Sequence, residues 1–245
     1  MGVLARGLSV LVVVTAGFAA SAVPARALDV APWQRVLDAH ARRGGVDYVA
    51  LRADARARAN LDAFLAAVAV MPESEPLYAW LDAYNALVVR AIVARPGVRS
   101  VRDVPGFFDR AQHRVAGRAR TLDQLENQLI RRRFPDARVH AALNCGARSC
   151  PALSTRAFTA ANVESELTRL ARAMVASDVH VRVRDGALSL SAIFTWYEAD
   201  FRRDAGSVRG WLARHDAGAR LRGLEATAPV RELPYDWALN ATSSR

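Results

Sequence analysis

The chain has 245 residues, 52% hydrophobic and 24% charged, a balance that fits an ordinary folded protein and excludes a disordered or fibrous one. Its formal net charge of +10 comes from 34 basic residues, every one an arginine, set against 24 acids. Those arginines are interspersed with acids and no nucleic-acid motif accompanies them, so nucleic acid is not an expected partner.

Residues 1–27 read as a signal peptide. Arg6 supplies the positive start, residues 8–20 an apolar stretch, and Ala25-Arg26-Ala27 a small-x-small cleavage site. The stretch is shorter than the roughly 20 residues a membrane span requires, and no later segment is apolar enough, so stable membrane insertion is not expected. The expected product is a single exported domain over residues 28–245, periplasmic or extracellular.

Three helices follow from apolar spacing. Residues 33–43 carry Trp33, Val36, Leu37 and His40 on one side and stop at Gly44-Gly45. Residues 57–70 carry Leu61, Phe64, Leu65 and Val68, with Pro72 beyond the end. Pro76 suits the first turn of a third helix running to residue 94, and its apolar positions lie almost all round, which marks it as the buried centre of the domain.

The middle of the chain is mixed. Residues 113–120 read as a small hairpin, and Thr121 can cap a helix running through Arg133. Ala141, Ala142 and Leu143 before a polar break suggest a buried strand over 138–144. A long helix is expected from Thr159 through 175, then an antiparallel hairpin turning at Asp185-Gly186, short helices over 192–203 and 208–215, and an extended end over 234–240. The fold class is α+β: one domain with helices packed around a small, mostly antiparallel sheet.

The segment from His140 through Asn144, Cys145, Gly146, Arg148, Ser149 and Cys150 to Pro151 gathers both cysteines and a histidine into a turn-rich loop, a common way of presenting reactive groups. Several readings are open, among them free cysteines with no catalytic role and a reversible redox pair. Two cysteines five positions apart can reach disulfide geometry, and closing so short a loop is worth about 2 kcal/mol on the chain-entropy model. Alternatively, Cys145 or Cys150 is a nucleophile, which needs a histidine, an arginine or a helix N-terminus to raise its thiolate fraction. Zinc on His140, Cys145 and Cys150 has loose spacing and no second pair to complete the site, so neither metal nor cofactor is expected.

A strand at 138–144 would turn His140 and Cys145 to opposite faces, so a partner for His140 has to come from elsewhere: Glu126, Asn85 or Asp200. Asp82 and Asn85 are expensive in an apolar helix unless hydrogen-bonded, and for one of them the loop after Asn144 is the natural partner. Trp80, Tyr84, Trp196, Tyr197 and Phe201 recur at helical spacing and read as core residues.

The same blocks carry a family resemblance. Gly45-Val46-Asp47-Tyr48 with Leu51, residues 80–87, residues 122–127 with Arg131, the segment around Asn144 and both cysteines, Leu188 to Ser191 followed by Phe194, Trp196, Tyr197, Asp200 and Phe201, and Pro234 to Asn240 resemble, in this order, the domain of unknown function 547 family. Asn127 departs from the pattern, which leads one to expect His after Glu126. The resemblance implies a fold and a site location but names no reaction.

Two functions therefore stand side by side. One is a non-catalytic module in which the pinned loop, with Asn85, Asn144, Arg148, Ser149 and Asp200, binds a small molecule or peptide. The other is a thiol-dependent hydrolase or acyltransferase using Cys145 or Cys150, with His140 as base and Glu126 in support.

Overall fold

The computed structural model describes Gly2, residues 28–42 and residues 44–243. Apart from Gly2, the expected signal peptide lies outside the described residues. The N-terminal part is helical: α1 (Ala31–His40), α2 (Tyr48–Ala53), α3 (Ala55–Val70) and α4 (Leu77–Val93). Between α1 and α2, β1 (Ala41–Arg42) and β2 (Gly45–Val46) form a two-stranded turn. Helix starts are set locally, because Asp47 and Asp54 each accept the backbone N–H three residues on, from Ala50 and Ala57, both at 2.9 Å. Fourteen of the seventeen residues of α4 are buried, against α2 and α3 among others.

Beyond α4, β3 (His113–Val115) and β4 (Arg118–Arg120) make the expected hairpin. The Thr121 hydroxyl accepts the Gln124 N–H while the Gln124 side chain accepts that of Thr121, a reciprocal cap. The helix so opened, α5, is π-helical over Gln124–Ile130 and closes with a turn of α-helix at Arg131–Arg133.

The expected strand over 138–144 is instead a short helix, α6 (Val139–Ala142), with extended backbone only from Leu143. Just ahead of it, the Asp136 carboxylate accepts the N–H of Arg138 at 2.9 Å. A four-residue buried helix and a buried strand share one apolar signature, and the alanines favour the helix. The helix expected from Thr159 starts later, as α7 (Val163–Ala176), because Asn162 folds back on Thr159 in a closed turn. The helix expected over 192–203 breaks at Tyr197 into α8 (Ala192–Trp196) and α9 (Glu198–Ala205), followed by α10 (Val208–His215).

Strands β5 (Val181–Arg184) and β6 (Ala187–Ser191) pair antiparallel through Asp185 and Gly186, both at positive φ. Such a two-residue turn suits a hairpin, and glycine adopts its backbone without a Cβ penalty. An additional strand, β7 (Val230–Leu233), pairs parallel with β6. The described sheets therefore have two, two and three strands, mostly antiparallel, and the fold is α+β. Buried apolar side chains from Leu28 to Leu239 form one contiguous core. Among the described residues, no helix is long and apolar enough to cross a membrane.

Candidate functional site

The cysteine loop is anchored before its sulfurs are considered. Asn85, in the middle of α4, donates to the Ala142 carbonyl at 3.0 Å and accepts the N–H of Asn144 at 2.8 Å. Asn144 in turn donates to the Pro151 carbonyl at 2.7 Å and accepts from the Gly146 N–H and the Asn240 side chain. Tyr48 closes the relay by donating to Asn240 at 2.8 Å. All four residues are buried, so their polar groups are satisfied by one another in place of water.

The C-terminal segment lies across the loop. Arg148 N–H donates to Ala238, Ser149 N–H to Asp236 and Asn240 N–H to Gly146, at 2.8, 3.1 and 3.0 Å. Gly146 has φ +83°, and a Cβ there would come within 2.5 Å of Ile92 Cδ1, so both conformation and space require glycine. Cys145 and Cys150 are joined as a disulfide, and the backbone N–H of Cys145 points at Cys150 Sγ, 3.0 Å away.

His140 sits on α6 with its Nε2 at 2.8 Å from Asp200 Oδ2, and its ring stacks on Tyr197 with centroids 4.0 Å apart. Asp200 also accepts from Arg131 Nε at 2.6 Å and pairs with Arg203 at 3.0 Å. Burial alone would raise the Asp200 pKa, but the hydrogen bonds from His140 and Arg131 outweigh it and hold the carboxyl well below the usual range. The arginine run closing α5 is thus part of an ion-pair cluster through Arg131, beyond any interaction with the helix dipole.

Glu126, within the π-helical part of α5, accepts hydrogen bonds from the Tyr84 hydroxyl at 3.0 Å and the Tyr197 hydroxyl at 2.5 Å. Burial first, and then the charge of Glu126, pushes both phenol pKa values upward, which keeps them protonated as donors. Above this pair lies a cleft of about 280 Å³, lined by Glu126, both tyrosines, His140 and the disulfide. Trp196, Tyr235 and Trp237 pack together as its aromatic wall, with ring centroids 4.6 to 5.8 Å apart.

The structure brings His140, Glu126, Cys145 and Cys150 to one cleft. Asp200 stands behind His140, while Asn85 and Asn144 lie beneath the loop. Arg148 and Ser149 are not in that lining: Arg148 is exposed, 3.7 Å from Asp236, and the Ser149 hydroxyl accepts the Asp236 N–H. Asp82 braces the core by accepting from Trp33 and Phe158.

Trp196, read from the sequence as core, is 49% exposed, because α8 ends at it and the chain turns at Tyr197. Tyr84 and Tyr197 are more than core aromatics, and Tyr235, whose hydroxyl lies 3.5 and 3.4 Å from the two sulfurs, was not singled out. The available signal was its place beside Asp236 and Trp237 in the last block of the resemblance.

Residues 68–175 match the family described as "Protein of unknown function, DUF547", and over that stretch the chain is similar to it. The matched stretch includes Asn85, Glu126, His140, Asn144 and both cysteines, whereas Tyr197, Asp200 and Tyr235 lie beyond it. No curated protein and no solved structure matches the chain.

Proposed function

We propose that residues 28–245 form an exported ligand-binding domain whose cleft accepts a small molecule or peptide side chain bearing a cationic or hydrogen-bond-donating group. The observation that carries this reading is Glu126: a carboxylate held by two tyrosines in an aromatic cleft whose lining, among the described residues, contains no lysine or arginine, in a chain of net charge +10. A carboxylate offers about four acceptor sites, so two tyrosines leave room for a ligand donor. Aromatic faces beside it favour a cation further. The π-helical widening at Glu126 supports the same reading, since such segments recur at functional sites.

The test uses 2-phenylethylamine as probe, with 2-phenylethanol and phenylacetate as its neutral and anionic counterparts, followed by tryptophan fluorescence. Saturable binding of the amine alone is the expected result, weakened about tenfold or more in Glu126→Gln through loss of a charge-assisted hydrogen bond. Equal binding of phenylacetate would sink the reading.

Export is supported by the N-terminal sequence pattern and by the disulfide, a bond that persists in oxidising compartments. N-terminal sequencing of protein recovered outside the cytoplasm should begin at Leu28; an intact Met1 on cytoplasmic protein overturns it. The hydrolase alternative is less favoured, because it needs a free thiolate whereas the two sulfurs are bonded to each other and His140 Nε2 is engaged by Asp200.

A further inference from the structure

We propose that the Cys145–Cys150 disulfide is a thiol-exchange centre, opened by a thiol that enters the cleft, with Cys145 the sulfur attacked and Cys150 the sulfur released. The first observation is redundancy. The loop is held by the Asn85–Asn144 pair, by the Asn144 bonds to Gly146 and Pro151, and by the backbone bonds to Ala238 and Asp236, none of which involves sulfur. A disulfide spanning five positions removes little entropy from the unfolded chain, and its opening leaves the hydrogen-bonded scaffold in place.

The second observation is asymmetry between the sulfurs. Cys145 is partly exposed on the cleft wall, whereas Cys150 is 6% exposed. Cys150 Sγ alone faces the backbone N–H of Cys145, at 3.0 Å, while the Tyr235 hydroxyl stands within reach of both sulfurs, 3.4 Å from Cys150 and 3.5 Å from Cys145. Burial and the charge of Glu126 raise the Tyr235 pKa, so the hydroxyl keeps its proton and can donate it to a sulfur anion. Donors so placed stabilise a thiolate leaving group, and exchange is faster the better the leaving thiolate is stabilised.

The electron balance is that of ordinary exchange. A thiolate RS⁻ bonds to Cys145 Sγ as the Cys145–Cys150 bond breaks, and the bonding pair stays on Cys150 as its thiolate. A second RS⁻ attacks the ligand sulfur of the mixed disulfide, releasing RSSR and the Cys145 thiolate. Two thiols are thereby oxidised to one disulfide and the protein gains two thiols; the reverse reaction with RSSR restores the bond. The ligand class is a low-molecular-weight thiol or a cysteine-bearing peptide.

The experiment incubates the folded, oxidised full chain with reduced glutathione, blocks free thiols with iodoacetamide, and maps the products by mass spectrometry. Glutathione is expected on Cys145, with Cys150 alkylated, and the fully reduced protein should melt no more than about 8 °C lower. Tyr235→Phe is expected to slow opening about tenfold. In the reduced protein it should also move the pH midpoint of Cys150 alkylation upward, from a value below the ordinary thiol range near 8.5. The proposal is overturned if the bond opens only on unfolding, if glutathione is found on Cys150, or if the alkylation midpoint is ordinary and indifferent to Tyr235. Binding of 2-phenylethylamine to the Cys145→Ser/Cys150→Ser variant, assayed in parallel, separates the two readings, because that variant cannot exchange thiols yet keeps Glu126 and both of its tyrosines.

Discussion

Two neighbouring residues of α4 serve two different polar clusters. Asn85 enters the asparagine relay below the cysteine loop, where the hydrogen bonds run between buried protein groups. Tyr84, one position earlier, donates to Glu126, a partly exposed carboxylate on a cleft wall with acceptor capacity left over. The difference lies in what remains after the protein's own bonds are made. A satisfied buried network fixes a shape, whereas a fixed but unsaturated acceptor at a cleft has something to offer a ligand.

The sharpest way to break the comparison is to disturb the ion-pair cluster that backs the cleft. Asp200→Ala strips His140, Arg131 and Arg203 of a common partner, and breaking a buried ion pair in this way costs about 3–5 kcal/mol. Denaturant unfolding of the variant should show that loss; a change below about 1 kcal/mol would mean the cluster is not a structural unit. Its acid dependence has a definite sign. A carboxylate whose folded pKa lies below its unfolded one gives stability that is complete above about pH 4 and lost as pH falls toward the folded value. The variant's stability should therefore fall less steeply below pH 4.

Acid titration above that range tests a different group. The asparagine relay contains no group that titrates there, but His180, beside the cysteine loop in a second cavity with Arg148 and Cys150, has its pKa lowered by burial to about 4. A histidine kept neutral by folding binds its proton more readily when unfolded, so the stability it lends is complete above about pH 6.5 and declines as pH falls toward 4. The loss over that window is on the order of 3 kcal/mol. Unfolding free energies across pH 7 to 4 should be flatter in His180→Gln, and an unchanged slope would show that folding does not lower the proton affinity of His180.

The relay itself is tested by Asn85→Ala, which leaves the Asn144 N–H and the Ala142 carbonyl buried without a partner. A cost of about 1–3 kcal/mol is expected in the melting curve, and a neutral substitution would show that water replaces the side chain.

These clusters were legible in the sequence to different depths. Asn85 and Asp82 announced themselves because an amide and a carboxylate in an apolar helix must find partners, and both do. The β5–β6 hairpin was readable because Asp185-Gly186 fixes its own turn. Asp200 was named as one candidate partner for His140, but the helix that carries His140 was read as a strand, because four buried residues lack a period by which to decide. Strand β7 went unread because its residues, Val230, Arg231, Glu232 and Leu233, show no alternation, and its parallel pairing with β6 is a long-range contact. The aromatic wall was hidden for a similar reason: Trp196, Tyr235 and Trp237 come from two distant segments, and helical spacing cannot distinguish a core aromatic from one at a cleft rim.

The smallest effect on stability should accompany the largest effect on binding. Replacing Glu126 by Gln keeps the side-chain shape and an acceptor for one or both tyrosines, while removing the negative charge from a partly exposed site. Hydrogen bonds to a charged acceptor are stronger than those to a neutral one, so some stability is lost; yet relief of the charge so near two buried phenols acts the other way, and the net change should stay within about 1 kcal/mol. The tyrosine hydroxyls also report the change. With the carboxylate gone, one of the causes raising their pKa disappears, and the ultraviolet titration of Tyr84 and Tyr197 should begin at lower pH in the variant. A variant that melts like the parent, ionises its tyrosines earlier and no longer binds the amine would separate the cleft's function from the fold that supports it. A variant that unfolds outright would instead place Glu126 alongside Asn85, as a group whose hydrogen bonds are spent on holding the structure.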